Sequence, residues 1–286
     1  MKLCLGTAQF GLDYGINNTR GKIPQLEVSE ILNYAHDNGV IALDTASAYG
    51  NSESVLGEAI ADTGKNFQII TKYPADTETR PLQWIDTSLK SLRIEKAHGY
   101  LFHNYSIFQK HADYIDEFVK IKESGKSEKI GFSLYYPSEA EYILKNNIPC
   151  DIVQIPCSIF DQRFARLFPE LKGRGIDIHV RSVFLQGLFF IDPDKLDAGF
   201  DSVKSILREI NLFAEERSIS MAALCLAFAY HNQDISYVVI GVDSLNNLKN
   251  NIDCCESLKN INIPYNCFEK FAVNDEFIIL PFNWRK

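Results

Sequence analysis

Short apolar runs recur along this chain, and each is followed by a segment whose apolar residues fall at helical spacing. The runs are "KLCLGTA", "VIALD", "FQIITK", "GYLFH", "KIGFS", "DIVQIP", "GIDIHVRSV" and "SYVVIG". They are continuous rather than alternating in polarity, as strands buried on both faces of a parallel sheet require. Between them, Val28, Ile31, Leu32 and Ala35 mark one helical face with Gly39 as its stop. Val55, Leu56, Ala59 and Ile60 mark another, capped by Asn51 or Ser52. The rhythm continues through Ile85, Leu89 and Leu92, then Tyr114, Phe118 and Ile121, then Ala140, Ile143 and Leu144. Further helices are expected from about Arg163 to Leu171, from about Ser202 to Tyr230, and across "SLNNLKNNIDCCESL". Strand–helix units repeated in this way close most economically as an α/β fold, the (β/α)8 TIM barrel, read here as a single domain over residues 1–286. An open doubly wound sheet is the competing arrangement. Its usual Gly-rich turn is missing, because "GTAQFG" lacks the G-x-G-x-x-G spacing.

Composition narrows the partners. With 286 residues, 46% of them hydrophobic, the chain can bury a large core without a Gly/Ser or Pro-rich linker. A net charge of −8 argues against a nucleic-acid surface, which needs clustered Lys and Arg. The longest apolar stretch, "MAALCLAFAY", is too short to span a bilayer, and "MKLCLGTAQFG" does not read as a signal peptide. The cysteines number seven, an odd count without paired metal spacing, which suits a reduced cytoplasmic setting. A monomer or weak homo-oligomer meeting small molecules is the expectation.

In a barrel of this kind, chemistry belongs where strands end. Those ends carry Thr7, Asp44, Lys72, His103, Ser133, Gln154, Arg181 with Ser182, and Gly241. Taken singly, each has an ordinary explanation. Asp44 would cap a turn, Tyr49 would pack, Lys72 would reach for solvent, and His103 would be a hydrogen-bonded structural histidine. Their convergence on one rim changes that balance. No pair of carboxylates suggests a glycosidase, and His103 lacks a metal-ligand partner, which makes a metal-dependent hydrolase improbable.

The set suits proton donation by a phenol. A free tyrosine has a pKa of about 10, too high for an efficient acid at neutral pH. A nearby ammonium lowers it. Lys72 is expected to do so for Tyr49, with Asp44 holding Lys72 by an ion pair and neutral His103 orienting a carbonyl oxygen.

The residues then resemble the aldo-keto reductases. Asp44-Thr45, Tyr49-Gly50, Glu53 and Gly57 reproduce that family's signature, and Lys72 in "IITKY" and His103 in "LFHN" complete what looks like its catalytic tetrad. The similarity extends over nearly the whole chain. Thr7 in "LGTAQFG" matches the tip of the first-strand motif beneath the nicotinamide. Ser133 and Gln154 match the residues that contact the carboxamide, and "RSVFLQGL" looks like the segment that wraps the pyrophosphate. In that segment Ser182-Val183-Phe184 stands for the usual Ser-Pro-Leu, with Leu185 and Gly187 following, and Arg181 replaces the ring-stacking aromatic. "IGVDSLNNLKNNI" resembles the adenosine-binding loop and helix, presenting Gly241, Asp243, Asn247, Asn250 and Asn251.

The resemblance implies NADPH- or NADH-dependent reduction of an aldehyde or ketone to an alcohol, with hydride from the cofactor and a proton from Tyr49. Members that prefer NADPH place Lys or Arg in the adenosine loop. Asp243 instead suits a ribose hydroxyl, so NADH is expected to serve at least as well. A sugar-derived aldehyde is the substrate class suggested, with Tyr14, Tyr73, Phe102, Tyr105 and Phe160 as candidate pocket residues. The alternative is a catalytically slow NAD(P)-binding redox sensor or regulatory partner protein on the same fold.

Overall fold

Strand β1 (Leu3–Gly6) pairs in parallel with β2 (Ala42–Asp44) on one side and with β8 (Ile235–Gly241) on the other, so the sheet has no free edge. Between them run β3 (Gln68–Tyr73), β4 (Ala97–Phe102), β5 (Ser127–Ser133), β6 (Ile152–Pro156) and β7 (Asp177–Arg181). Each pairs with its sequence neighbour in a closed barrel. The structure, a computed structural model, describes residues 1–75, 77–261 and 263–284. The (β/α)8 expectation holds, and the doubly wound sheet does not.

Helices alternate with the strands and carry the expected apolar faces inward. Gln25–Asp37 buries Val28, Ile31, Leu32 and Ala35, and Gly39 follows with φ 77°. Ser52–Thr63, Pro81–Leu92, Tyr114–Glu123, Pro137–Lys145, Asp201–Glu215, Met221–Tyr230 and Leu245–Ser257 occupy the segments that the periodicity marks. Two local expectations differ. The stretch from Arg163 is a short turn of 3-10 helix, Ala165–Leu167, before an α-helix at Phe168–Gly173, where Pro169 occupies the first turn. Proline lacks an N–H and is tolerated there but not mid-helix, so the earlier residues cannot join one continuous α-helix. Asn51 stands at the cap position of its helix without a side-chain cap bond, and Ser52 turns its hydroxyl to the Thr7 carbonyl at 2.8 Å.

Period-two geometry places the polar tips. Cys4, Ala42, Ile70, Leu101, Ile152 and Val239 form an apolar plug inside the barrel. Side chains on a strand alternate faces, so the residues two further on share that inner side: Asp44, Lys72, His103, Gln154 and Gly241. The intervening residues point outward to the helices. Phe102 stacks on Phe118 at 3.9 Å and on Phe132 at 4.9 Å, while Tyr73 meets Phe102 edge-on. No helix among the described residues is long and apolar enough to cross a membrane.

Candidate active site

Asp44 ends β2 with both carboxylate oxygens engaged. Lys72 Nζ from β3 donates to Oδ2 at 2.7 Å, and Gln154 Nε2 from β6 donates to Oδ1 at 2.7 Å. Lys72 also donates to the Thr45 carbonyl at 2.8 Å. The Lys72 side chain is 0% exposed and that of Asp44 4%. An ammonium so buried is tolerable only when paired and hydrogen-bonded. The pair is supported from behind, where Thr71 Oγ1 donates to Glu53 Oε1 at 2.6 Å, fixing the neighbour of Lys72 to the helix that follows Tyr49.

Tyr49 sits in the turn between β2 and that helix. The turn needs Gly50, whose φ is 58° and where a Cβ would lie 2.5 Å from the Gly11 carbonyl oxygen. The Tyr49 ring meets His103 edge-on, centroids 5.5 Å apart, and Lys72 Nζ lies 5.0 Å from the ring centre. Phenol, ammonium, carboxylate and imidazole are therefore brought together at one end of the barrel.

One expectation about this group is corrected. Lys72 stands over the Tyr49 ring, and no hydrogen bond joins it to Tyr49 among the described residues. Burial, with help from the Asp44 carboxylate, pushes the phenol above its ordinary range, and the cation that pulls it down is Arg181. Asp44 thus holds Lys72 as expected, but in holding it offsets the charge that was expected to tune the phenol. His103 is held down to about 3 by burial and then by the Lys72 and Arg181 charges, so the imidazole is neutral at ordinary pH.

The other candidate residues divide by position. Thr7 is fully buried, and its hydroxyl is spent on the Asp44 carbonyl at 3.1 Å and on Ser52 at 2.8 Å, so it braces β1 against β2. Ser133 ends β5 and pairs with Gln154, which lies in the middle of β6 rather than at its end; both are buried. Beyond β7 the backbone is left-handed at Ser182 (φ 65°), Leu185 (φ 45°), Gln186 (φ 52°) and Gly187 (φ 96°), a loop with tight local bends. Val183 and Leu185 anchor it in the core, and Phe184 is half-buried. Its far side is tied to the loop after β1, because Gln186 Nε2 donates to the Tyr14 hydroxyl at 3.1 Å.

Gly241 ends β8 beside the Gln9 side chain, where a Cβ would come within 2.8 Å. Asp243 accepts from the Ser244 hydroxyl at 2.9 Å, and its backbone carbonyl accepts from Arg20 at 2.9 Å. Asn251 is buried and donates to Asn247, while Asn250 is exposed.

Most of the proposed pocket aromatics lie elsewhere. Tyr73, Phe102, Tyr105 and Phe160 are buried in the main core, and only Tyr14 is exposed near the mouth. The signal was present in the alternation: with Lys72 and His103 pointing inward, Tyr73 and Phe102 must point outward. Residues that the pattern did not single out include Ser52, which ties Thr7 and Thr45 together, and Tyr135, whose ring carries the Arg181 guanidinium at 4.4 Å.

Fold and site together define a barrel oxidoreductase scaffold with a buried acid–ammonium pair beside a phenol and a neutral imidazole. The sequence matches the Aldo/keto reductase family over residues 2–262, and the chain belongs to that family. It is 23% identical over 242 residues to an L-galactose dehydrogenase of Arabidopsis thaliana, covering 78% of this chain and 76% of that one. It is 26% identical over 174 residues to the aldo-keto reductase YhdN of Bacillus subtilis, covering 56% of this chain and 52% of that one. In fold it superposes on the holo form of the aldo-keto reductase AKR11C1 from Bacillus halodurans with a TM-score of 0.75 and 19% identity, covering 96% of this chain and 94% of that one.

Proposed function

We propose that this chain reduces an aldehyde or ketone to an alcohol with a nicotinamide cofactor, using Tyr49 as the proton donor. The observation that carries the reading is Tyr49 packed against both His103 and Lys72, with Lys72 bound to Asp44. A carbonyl placed against this group would accept a hydrogen bond from neutral His103, and Tyr49 would give its proton to the developing alkoxide. A phenol held above its ordinary range stays protonated until the substrate oxygen becomes basic. Asp44 and Lys72 keep the floor beneath that phenol rigid.

The surroundings fit a nicotinamide cofactor. Gln9 Oε1, beside Gly241, is buried with no hydrogen-bond partner among the described residues, an orphan acceptor such as a bound polar ligand satisfies. Ser133 and Gln154 are assigned to the carboxamide; Gln154 gives its Nε2 to Asp44, so its Oε1 is the atom left to accept. Ser182, Val183, Phe184, Leu185 and Gly187 form the segment assigned to the pyrophosphate, with Arg181 before them in the place of the ring-stacking aromatic, and Gly241, Asp243, Asn247, Asn250 and Asn251 form the adenosine end. When bound, the nicotinamide supplies a hydride to the carbonyl carbon.

At the adenosine end the nearby cations are already committed. Arg20 bonds Glu27 at 2.9 Å, and Lys249 lies over the Tyr34 ring at 5.2 Å. A 2′-phosphate would meet Asp243 there, so NADH is proposed to serve at least as well as NADPH. The similarity to an L-galactose dehydrogenase favours a sugar-derived carbonyl as the substrate class. The test is to mix purified protein with each reduced cofactor and a panel of aldehydes, sugar aldehydes included, and to follow loss of reduced-nicotinamide absorbance. Aldehyde-dependent oxidation supports the reading; none with either cofactor overturns it. A much lower Michaelis constant for NADPH than for NADH would overturn the cofactor preference alone.

A further inference from the structure

Arg181 stands where a ring-stacking residue is expected, and that place needs no charge, so its charge at the mouth is left without an assigned task. It ends β7 on the inner side of the barrel, and its guanidinium rests on the Tyr135 ring at 4.4 Å. One nitrogen donates to the Leu134 carbonyl at 3.1 Å and another reaches the Ser182 hydroxyl at 3.4 Å. A guanidinium carries five N–H donors, so this set leaves donors over. Among the described residues, no carboxylate lies within the 4.0 Å of an ion pair with it. The nearby Glu139 is occupied elsewhere, accepting from the backbone N–H groups of Tyr135 at 2.7 Å and Tyr136 at 3.1 Å.

The other arginines among the described residues each have a carboxylate partner, from Arg20 with Glu27 and Arg80 with Asp113 to Arg208 with Asp194 and Arg217 with Glu216. Lys72, the neighbouring cation, is neutralised by Asp44, whereas Arg181 is not. Its charge nevertheless reaches the reacting groups, acting on Tyr49, Tyr14 and His103 alike. The support beneath it is firm, since Tyr135 is itself met edge-on by Phe282 of the C-terminal segment at 5.0 Å.

We propose that Arg181 is a specificity-determining residue that binds an anionic group of the substrate, a carboxylate or a phosphate, on the same molecule as the carbonyl presented to Tyr49 and His103. A planar fork of donors held flat on an aromatic ring matches either anion. The substrate is then a negatively charged carbonyl compound, such as an acidic or phosphorylated sugar derivative. The inference rests on the reductase reading above and narrows it.

The test compares matched substrates. 4-Carboxybenzaldehyde is set against its neutral methyl ester, and glyceraldehyde 3-phosphate against glyceraldehyde, with kcat and KM measured for each. The wild-type protein is expected to favour at least one anion over its neutral partner by about tenfold or more in kcat/KM, mainly through KM. The pair that shows it distinguishes carboxylate from phosphate. Arg181→Gln is expected to erase that ratio, and Arg181→Lys to restore part of it. Neutral aldehydes reduced as well as both anions would overturn the inference while leaving the reductase reading intact. An anion preference that survives in Arg181→Gln would also overturn it, as would a loss of cofactor affinity in that variant, read by nicotinamide fluorescence, with the ratio unchanged. If no aldehyde is reduced at all, the underlying reading fails instead.

Discussion

Lys72 Nζ stands 2.7 Å from Asp44 Oδ2, with the lysine side chain sealed completely from solvent. Neither charge would persist there alone, and Gln154 completes the shell by donating to the second carboxylate oxygen. The pair joins β2 to β3 beneath Tyr49, so it serves stability and site geometry together.

Replacing Asp44 by Asn removes the countercharge and leaves a buried ammonium. Breaking one partner of a buried pair typically costs about 3–5 kcal/mol. Urea unfolding of Asp44→Asn should show a loss of this order at pH 7, accompanied by a fall in kcat/KM. Unchanged stability would mean that the Lys72 site is more hydrated than its burial indicates.

Acid should destabilise the fold through two histidines of the barrel interior. Half-buried His103 is depressed to about 3, and so is fully buried His179, whose ring nitrogens have no partner among the described residues. Between that value and the ordinary 6.5, the unfolded chain binds protons that the folded chain refuses. Their contribution is therefore complete above about pH 6.5 and is lost as pH falls toward 3, at about 1.4 kcal/mol per pH unit for each histidine. Urea midpoints measured from pH 7 to pH 4 should fall throughout, and His179→Gln should flatten the slope. A midpoint that rises as pH falls through this window contradicts the assignment.

Gly57 permits the helix Ser52–Thr63 to approach the helix Pro81–Leu92. A Cβ there would lie 2.4 Å from the Ser91 carbonyl oxygen, in contact with backbone that cannot rotate away. Alanine is the better helix former by about 1 kcal/mol, yet overpacking of this kind costs about 1–3 kcal/mol. Gly57→Ala should therefore lower the thermal midpoint. A raised midpoint would show that the helices separate freely.

The barrel was legible because parallel strands covered on both faces must be apolar throughout, and the interruptions fall where helices are needed. Asp44, Lys72 and His103 were legible for a related reason: each is an ionisable residue closing an apolar run, and the alternation of strand side chains returns all of them to the inner side. The Asp44–Gln154 bond was not, since it joins residues 110 positions apart and depends on the register of strands that are not neighbours. Nor was the position of Lys72 over the Tyr49 ring, which is set by the Gly50 turn and by the pull of Asp44. The misplaced aromatics, Tyr73 and Phe102, were nominated by proximity in sequence when strand alternation already assigned them to the outer core. Arg181 was read through the cofactor role of its equivalent, and its aromatic support on Tyr135 became visible only with the two loops side by side.

The central claim is that Tyr49 delivers the proton. Tyr49→Phe keeps the ring that packs on His103 and removes only the hydroxyl. Single-turnover reduction of an aldehyde by the preloaded protein–cofactor complex measures that step, with cofactor affinity read separately by fluorescence. The account predicts affinity within a few-fold of the parent and reduction slower by about 100- to 10,000-fold. Reduction at the parental rate by Tyr49→Phe would contradict it.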